Sequence, residues 1–255
     1  GYRNYLGDDV DGNPVLASWL VAVFAEAEQR PLYLLWKDPQ VRVADKPVIT
    51  WKLASCPSDV RDLPADRRRP WLAYAVNCGV PNAAVRPGGS APIDGPACGI
   101  FHNRDTRPVA DGGVGKEPIT VSADYINQHD GTSNTLLLSE NLAADSWMEL
   151  GEANVGLLWD PFWEPDLGAS GTAPVPPGIN ADPEGDHPRP SSRHPGGVNG
   201  LFADRHAQFL AETTDYLVYQ HWMTPYGRKA GQIAGMNPSP TRANLRTGVL
   251  DPGGM

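Results

Sequence analysis

The chain has 255 residues and a formal net charge of -9 at pH 7. An acidic surface repels nucleic acid and anionic lipid headgroups, so neither is an expected partner. Gly and Pro, 27 and 26 in number, make up about a fifth of the chain against roughly 12% in an average protein, yet 40% of the residues are hydrophobic. That content builds a core and predicts a globular chain with long loops. The longest apolar run, residues 15–25, falls short of the about 20 residues that span a bilayer.

In chain order, NPVLASWLVAVFAEAEQ (13–29) predicts one helix. Asn13 would cap it, Pro14 suits its first turn, and Leu16, Trp19, Leu20, Val23 and Ala27 recur at helical spacing. Arg30 and Pro31 should end it, and its apolar stripe needs a sheet to lie on. Strands are predicted at 47–56, 71–78, 99–103, 119–126 and 132–140, where β-branched or alternating runs are bounded by Gly, Pro and Asp. Residues 160–190 form a long Pro/Gly/acidic loop, of the kind that carries function or an interface arm. GVNGLFADRHAQFLAE (197–212) is the clearest hairpin, turning at Asp204 and Arg205. Arg205 falls where a positive φ is expected, at a cost on the order of 1 kcal/mol. The expected organisation is one domain over 1–230 and an extended tail over 231–255 that drapes over the surface or reaches for a neighbour. The fold class is α+β, an N-terminal helix packed on a mainly antiparallel β-sheet with long Pro/Gly-rich loops.

Several residues are candidates for chemistry. Cys78 and Cys98 flank a Pro/Gly-rich loop. They would either close it as a disulfide, worth roughly 3 kcal/mol, or sit buried as small apolar side chains. Cys56 is the odd one out, and no Cys/His set has zinc-finger spacing. Ser191, Ser192 and His194 precede a Gly-Gly turn, with Asp204 at the facing hairpin end. A structural His194–Asp204 hydrogen bond that pins the loop is the least demanding use of these residues. Metal ligation by His194 and a serine or metal-dependent hydrolase are its rivals, the last without a G-x-S-x-G elbow. Gly196, Gly197 and Asn199 would cradle a phosphate only ahead of a helix; a strand is predicted instead, so they read as turn and close-packing residues. Asp130 and Gly131 read as a turn, with Thr132 or Ser133 opening a strand. Asp9, Asp11 and Asn13 match D-x-D-x-N, a Ca²⁺ pattern here lacking the Gly and twelfth-position Glu of an EF-hand; the other reading is a solvated acidic loop. No further cofactor is expected. Trp147, Trp159, Phe162 and Trp163 would be core residues, an interface patch or platforms for sugar rings.

The segments DGNPVLASWLVAVFAEAEQRPLY, LASCPSD, DGTSNTLLLSE, SSRHPGGVNGLFADRHAQFL and YLVYQHWMTPYG lie in that order between residues 11 and 227. Together they resemble the landmarks of a large planctomycete-type family of pilin-like and pseudopilin-like proteins, including its prepilin-type processing-associated His-x9-Asp-Gly motif. His194 and Asp204 keep that spacing, while Arg205 stands in place of the motif's Gly. The resemblance implies a type IV pilin-like head and a non-enzymatic role in a filament or a type II secretion-related assembly. Its partners would be copies of itself or related subunits, at the cell surface, outside the cell or in the periplasm. It also implies a leader and a long apolar N-terminal helix as the only membrane contact; that helix is missing from the sequence that begins at Gly1. Two rival readings remain, a secreted carbohydrate- or protein-binding module using the aromatic cluster at 147–163 and a hydrolase using His194.

Overall fold

The computed structural model of the chain describes residues 1–59, 70–82, 94–108, 114, 117–144, 146–160, 178–181 and 188–233. It opens with a hairpin in which β1 (Arg3–Asp8) pairs antiparallel with β2 (Pro14–Ser18), Arg3 facing Ser18 and Tyr5 facing Leu16. The start of the predicted 13–29 helix is therefore strand. Val15 and Ala17 are buried while Pro14 and Leu16 are half-buried, the period-two pattern of a pleated strand. Pro14 sits at the first strand residue, where a missing N–H is tolerated. Helix α1 is confined to Trp19–Phe24, and Glu28 in the left-handed conformation (φ 59°) separates it from α2 (Arg30–Lys37). Pro31 lies in the first turn of α2, so it starts a helix rather than ending one. The Lys46 ammonium donates to the carbonyls of Leu35 and Asp38, favourable partners at a helix C-terminus.

Residues 47–56, predicted as a strand, join neither sheet. Their carbonyls accept indoles instead, Trp36 Nε1–H donating to Pro47 O at 3.1 Å and Trp147 Nε1–H to Ile49 O at 3.0 Å. The 71–78 prediction holds in part as β3 (Tyr74–Gly79), and of 99–103 only the last residue enters β4 (Asn103–Arg104), parallel to β1. Residues 119–126 do not form a strand. Ser122 Oγ accepts the Tyr125 N–H and so caps a helix, α3 (Ala123–Gln128). Strand β5 (Leu136–Glu140) is shorter than predicted and follows turns at 129–134. Then come α4 (Glu152–Val155), β6 (Gly156–Leu158) and the predicted hairpin, β7 (Gly197–Phe202) and β8 (Ala207–Ala211). Helix α5 (Tyr216–Met223) is capped by Asp215, whose carboxylate accepts the Leu217 N–H at 2.7 Å, and α6 (Gly227–Ile233) enters the segment predicted as tail. The rest of that tail lies outside the described residues.

The strands form two sheets, ordered β2-β1-β4 and β6-β3-β5-β7-β8. Pairing is antiparallel except between β1 and β4 and between β3 and β6, an α+β arrangement with a mainly antiparallel sheet. The five-stranded sheet is covered on both faces. Ala75 of β3 enters one core with Leu136, Val198, Phe202 and the α5 residues Tyr219, Trp222 and Met223. Val76 and Cys78 enter the other, with Leu20, Val21 and Phe24 of α1, Trp36 of α2 and Trp147. Phe24 and Trp36 meet Trp147 edge-on at 5.4 and 5.8 Å, the favoured geometry for aromatic pairs.

This two-sided packing removes the disulfide reading. Cys78 points to the α1 side against Gly156, Cys98 belongs to the α5 core, and both are buried thiols outside any disulfide. The two segments meet through glycines instead. A Cβ on Gly99 would lie 2.5 Å from the Gly79 Cα, so neither position accepts a side chain.

Arg205 adopts φ 76° at the β7–β8 turn, as its position predicts. Arg205→Gly should raise the free energy of unfolding by about 0.5–1 kcal/mol, the left-handed penalty less the greater freedom of the unfolded glycine chain. Urea denaturation of the two proteins measures it, and an unchanged or lowered midpoint contradicts the strain.

Candidate functional site

Glu140 ends β5 on the side of Leu138, which packs against the α1 core. A buried carboxylate must find donors, because an unpaired charge away from water is heavily penalised. Glu140 finds four. Its Oε2 accepts the Asn199 backbone N–H at 2.8 Å and the Asn199 Nδ2–H at 3.2 Å. Its Oε1 accepts the Cys56 Sγ–H at 3.1 Å and, with the ring protonated there, the His194 Nε2–H at 3.0 Å. Cys56 Sγ and His194 Nε2 are themselves 3.6 Å apart. Sulfur, oxygen and nitrogen thus converge on one small volume, with Cys56 and Glu140 buried and His194 partly open.

Local structure fixes each side chain. Cys56 sits in a tight turn closed by the Asp59 N–H to Cys56 O (3.0 Å), and the N–H groups of Ser58 and Asp59 bond the Cys56 sulfur. His194 rides on a loop pinned to β5: the Ser191 N–H donates to Glu140 O at 2.9 Å, and Ser191 Oγ accepts the Leu142 N–H at 2.9 Å. Ser192 Oγ accepts the His194 N–H at 3.0 Å and donates to Gly197 O at 2.8 Å. Both hydroxyls serve backbone groups. Outside the cluster, Arg193 faces Asp59 at 3.6 Å and ties the two loops together.

The expected His194–Asp204 bond does not form. β7 separates them, and six extended residues span about 20 Å. Asp204 instead bonds His206, from backbone N–H and ring, the ring contact at 2.6 Å; the backbone bond leads in holding its carboxyl below the usual range. Gly196 turns the chain at φ 82°, Gly197 opens β7, and Asn199 serves Glu140 as a double donor. Asp130 and Gly131 form a turn, Gly131 at φ 88°, and Asp130 Oδ2 accepts the Gly227 N–H at 2.5 Å. Burial raises the Asp130 pKa.

Asp9 accepts the N–H of Val43, Asp11 and Asn13, and the Val43 bond leads in lowering its pKa. Asp11 pairs with Arg42 at 3.0 Å. Both carboxylates thus tether the 40–43 loop to the hairpin. Trp147 and Trp159 are core residues, Trp159 donating to Cys98 O at 2.8 Å, so neither offers a free face to a sugar. Phe162 and Trp163 lie outside the described residues. Sequence reasoning missed Cys56 and Glu140; the signal for the second was a carboxylate two residues after Leu138, on the inward face of an apolar strand.

The geometry is that of a ligand set rather than a relay. A nucleophile–base–carboxylate relay places its two partners on opposite ring nitrogens, whereas here Cys56 and Glu140 both meet Nε2. Burial, then the bond to Glu140, raises the Cys56 pKa, the reverse of an activated thiolate. A recess of about 290 Å³, bordered by Phe101, His102, Ile126 and Leu137 among others, includes none of the three residues.

A second polar cluster lies beside Cys78. The Asn82 N–H donates to both Glu152 oxygens (2.9 and 3.2 Å), Asn82 Nδ2–H bonds Tyr2 Oη, and Asp94 meets His102 Nδ1 at 3.0 Å. Burial, offset by the Asn82 N–H and reinforced by Asp94, lifts the Glu152 pKa from its ordinary 4.5 to about 7. The folded chain therefore holds this proton more tightly than the unfolded chain. Its stabilising contribution is complete below pH 4.5 and is lost as pH rises through about 7. Wild type should lose stability relative to Glu152→Gln across that window, read from urea midpoints; parallel pH profiles contradict it. At the first cluster, Glu140→Ala should lower the free energy of unfolding by about 2–4 kcal/mol, because it strands buried donors. Calorimetry that finds less than about 1 kcal/mol contradicts the role of the carboxylate as the common acceptor.

Comparison with known proteins places the chain in a family. No curated protein matches the chain, and no solved structure does. Residues 1–217 match one family model, described as a protein of unknown function (DUF1559), and the chain belongs to that family.

Proposed function

We propose that the chain forms the globular head of a pilin-like or pseudopilin-like subunit, a non-enzymatic protein that works by assembling with copies of itself or with related subunits at the cell surface or in the periplasm. The family membership and the mainly antiparallel sheet with helices on its faces are compatible with this reading. The observation that carries it is the distribution of exposed apolar surface. Among the described residues eight large hydrophobic side chains are exposed, and seven of them, Val10, Val23, Leu34, Leu35, Val43, Val48 and Leu53, lie in the first 53 residues. Short bonds bring several of their backbones together. Asp9, beside Val10, accepts the Val43 N–H; Lys46 reaches Leu35 O; and Trp36 reaches Pro47 O, beside Val48. Scattered apolar residues are ordinary on a surface, whereas their concentration in one part of the chain is what a surface covered by a partner would show.

No described helix is long and apolar enough to cross a membrane. If copies assemble into a filament, the contacts are heterologous, because a self-complementary interface closes on itself. Sedimentation of the chain over a range of concentrations should show self-association. Replacing Leu34 and Leu53 together by Glu should weaken it about tenfold or more, two desolvated apolar contacts being worth about 1.4 kcal/mol or more. A wild-type chain that stays monomeric to millimolar concentration, or a variant that associates equally well, sinks the reading.

A further inference from the structure

The geometry points to a divalent metal site of the zinc class at Cys56, Glu140 and His194. The inference rests on the cluster alone and is independent of the assembly reading. The three ligand atoms stand 3.1 Å (sulfur to oxygen), 3.0 Å (oxygen to nitrogen) and 3.6 Å (sulfur to nitrogen) apart. A tetrahedral zinc ion, with bonds of about 2.3 Å to sulfur and about 2.0–2.1 Å to nitrogen and oxygen, separates its ligands by roughly 3.3–3.6 Å. The sulfur–nitrogen edge already matches, and the two edges to Glu140 need to open by only a few tenths of an ångström.

The surrounding groups are those a metal site requires. Ser58 and Asp59 direct backbone N–H groups at the Cys56 sulfur, and such bonds stabilise a thiolate. The two Asn199 donors hold Oε2 of Glu140, leaving Oε1 aimed at the cluster. Supporting bonds of this kind orient ligating atoms and commonly govern affinity. The mixture of one thiolate, one imidazole and one carboxylate suits zinc, whereas calcium and magnesium take oxygen alone. On binding, the Cys56 thiol releases its proton to solvent and its sulfur bonds the ion. The proton on His194 Nε2 moves to Nδ1 through solvent, freeing the Nε2 lone pair. The charges of thiolate and carboxylate then balance the dication. His194 is 28% exposed, so an entry path exists from its side, and water completes the coordination.

The test uses the whole chain, stripped with a chelator and titrated with cobalt(II), whose bond to a thiolate gives a near-ultraviolet charge-transfer band. One cobalt per chain should bind with that band, zinc(II) should displace it, and either ion should raise the melting temperature. Cys56→Ser keeps a hydroxyl donor for Glu140 but should abolish the band. His194→Ala should weaken cobalt binding about tenfold or more, and Asn199→Ala about 10–100-fold. His206→Ala, which alters the exposed pair with Asp204, should leave binding unchanged. The proposal is overturned if wild type shows no stoichiometric band, if the band survives Cys56→Ser, or if His206→Ala weakens binding as much as His194→Ala. Should Cys56→Ser fail to fold, the wild-type titration and His194→Ala decide the matter.

Discussion

One carboxylate governs how distant parts of this chain meet. Glu140 is buried, and its four acceptor contacts are met by Cys56, His194 and both donors of Asn199. Those residues come from the end of the tryptophan-pinned 47–56 segment, the loop before β7 and β7 itself. Each of the three residues therefore fixes the position of a different stretch of backbone against the end of β5. A buried anion leaves little freedom, because displacing any partner exposes a charge to a medium that cannot screen it. The loop bearing His194 is held twice more through Ser191 and Ser192, so the histidine arrives at Glu140 already oriented.

The same logic runs through the apolar parts. β3 sends alternate side chains into two cores, and each core closes with hydrogen bonds from otherwise stranded groups. Asn77 Nδ2 bridges Leu136 O and Met223 O, joining β5 to α5. On the α5 side, buried Arg189 donates to Tyr216 Oη at 2.9 Å and to Leu158 O, and its guanidinium lies over the Tyr216 and Tyr219 rings at 4.9 and 5.4 Å. On the other side Trp147 fills the centre of the core while its indole N–H holds Ile49 O. In both interiors these buried polar groups tie one element to another.

The local features were legible in the sequence and the long-range ones were not. The 197–212 hairpin followed from alternation around a two-residue turn, and Arg205 at a positive φ followed from its place in that turn. The 13–29 segment misled because Leu16, Trp19, Leu20 and Val23 fit a helical stripe while Val15 and Ala17 fit a pleat equally well. Only β1, a short strand without strong alternation, decides between them by pairing. Ser122 offered a cap signal that β-branched neighbours obscured. At the site, His194 was identified, but its partner was sought ten residues along the chain. The real partner lies 54 residues away and becomes a neighbour through the β5–β7 pairing. Sequence spacing reports contacts along a helix or turn; across a sheet it reports the length of the intervening excursion.

That geometry joins the candidate metal site to the candidate assembly surface. Cys56 terminates the segment whose carbonyls receive Trp36 and Trp147, and that segment carries Val48 and Leu53. The apolar layer is therefore connected to the five-stranded sheet at two kinds of junction, the tryptophan core and the Cys56–Glu140–His194 cluster. The core is broad and weakly directional, since dispersion and aromatic contacts tolerate small shifts. The cluster is narrow and strongly directional, and replacing its shared protons by an ion would fix three lengths at once. An ion there would act on the proposed assembly without touching a neighbour, by removing one of the soft degrees of freedom between the candidate assembly surface and the sheet that supports it.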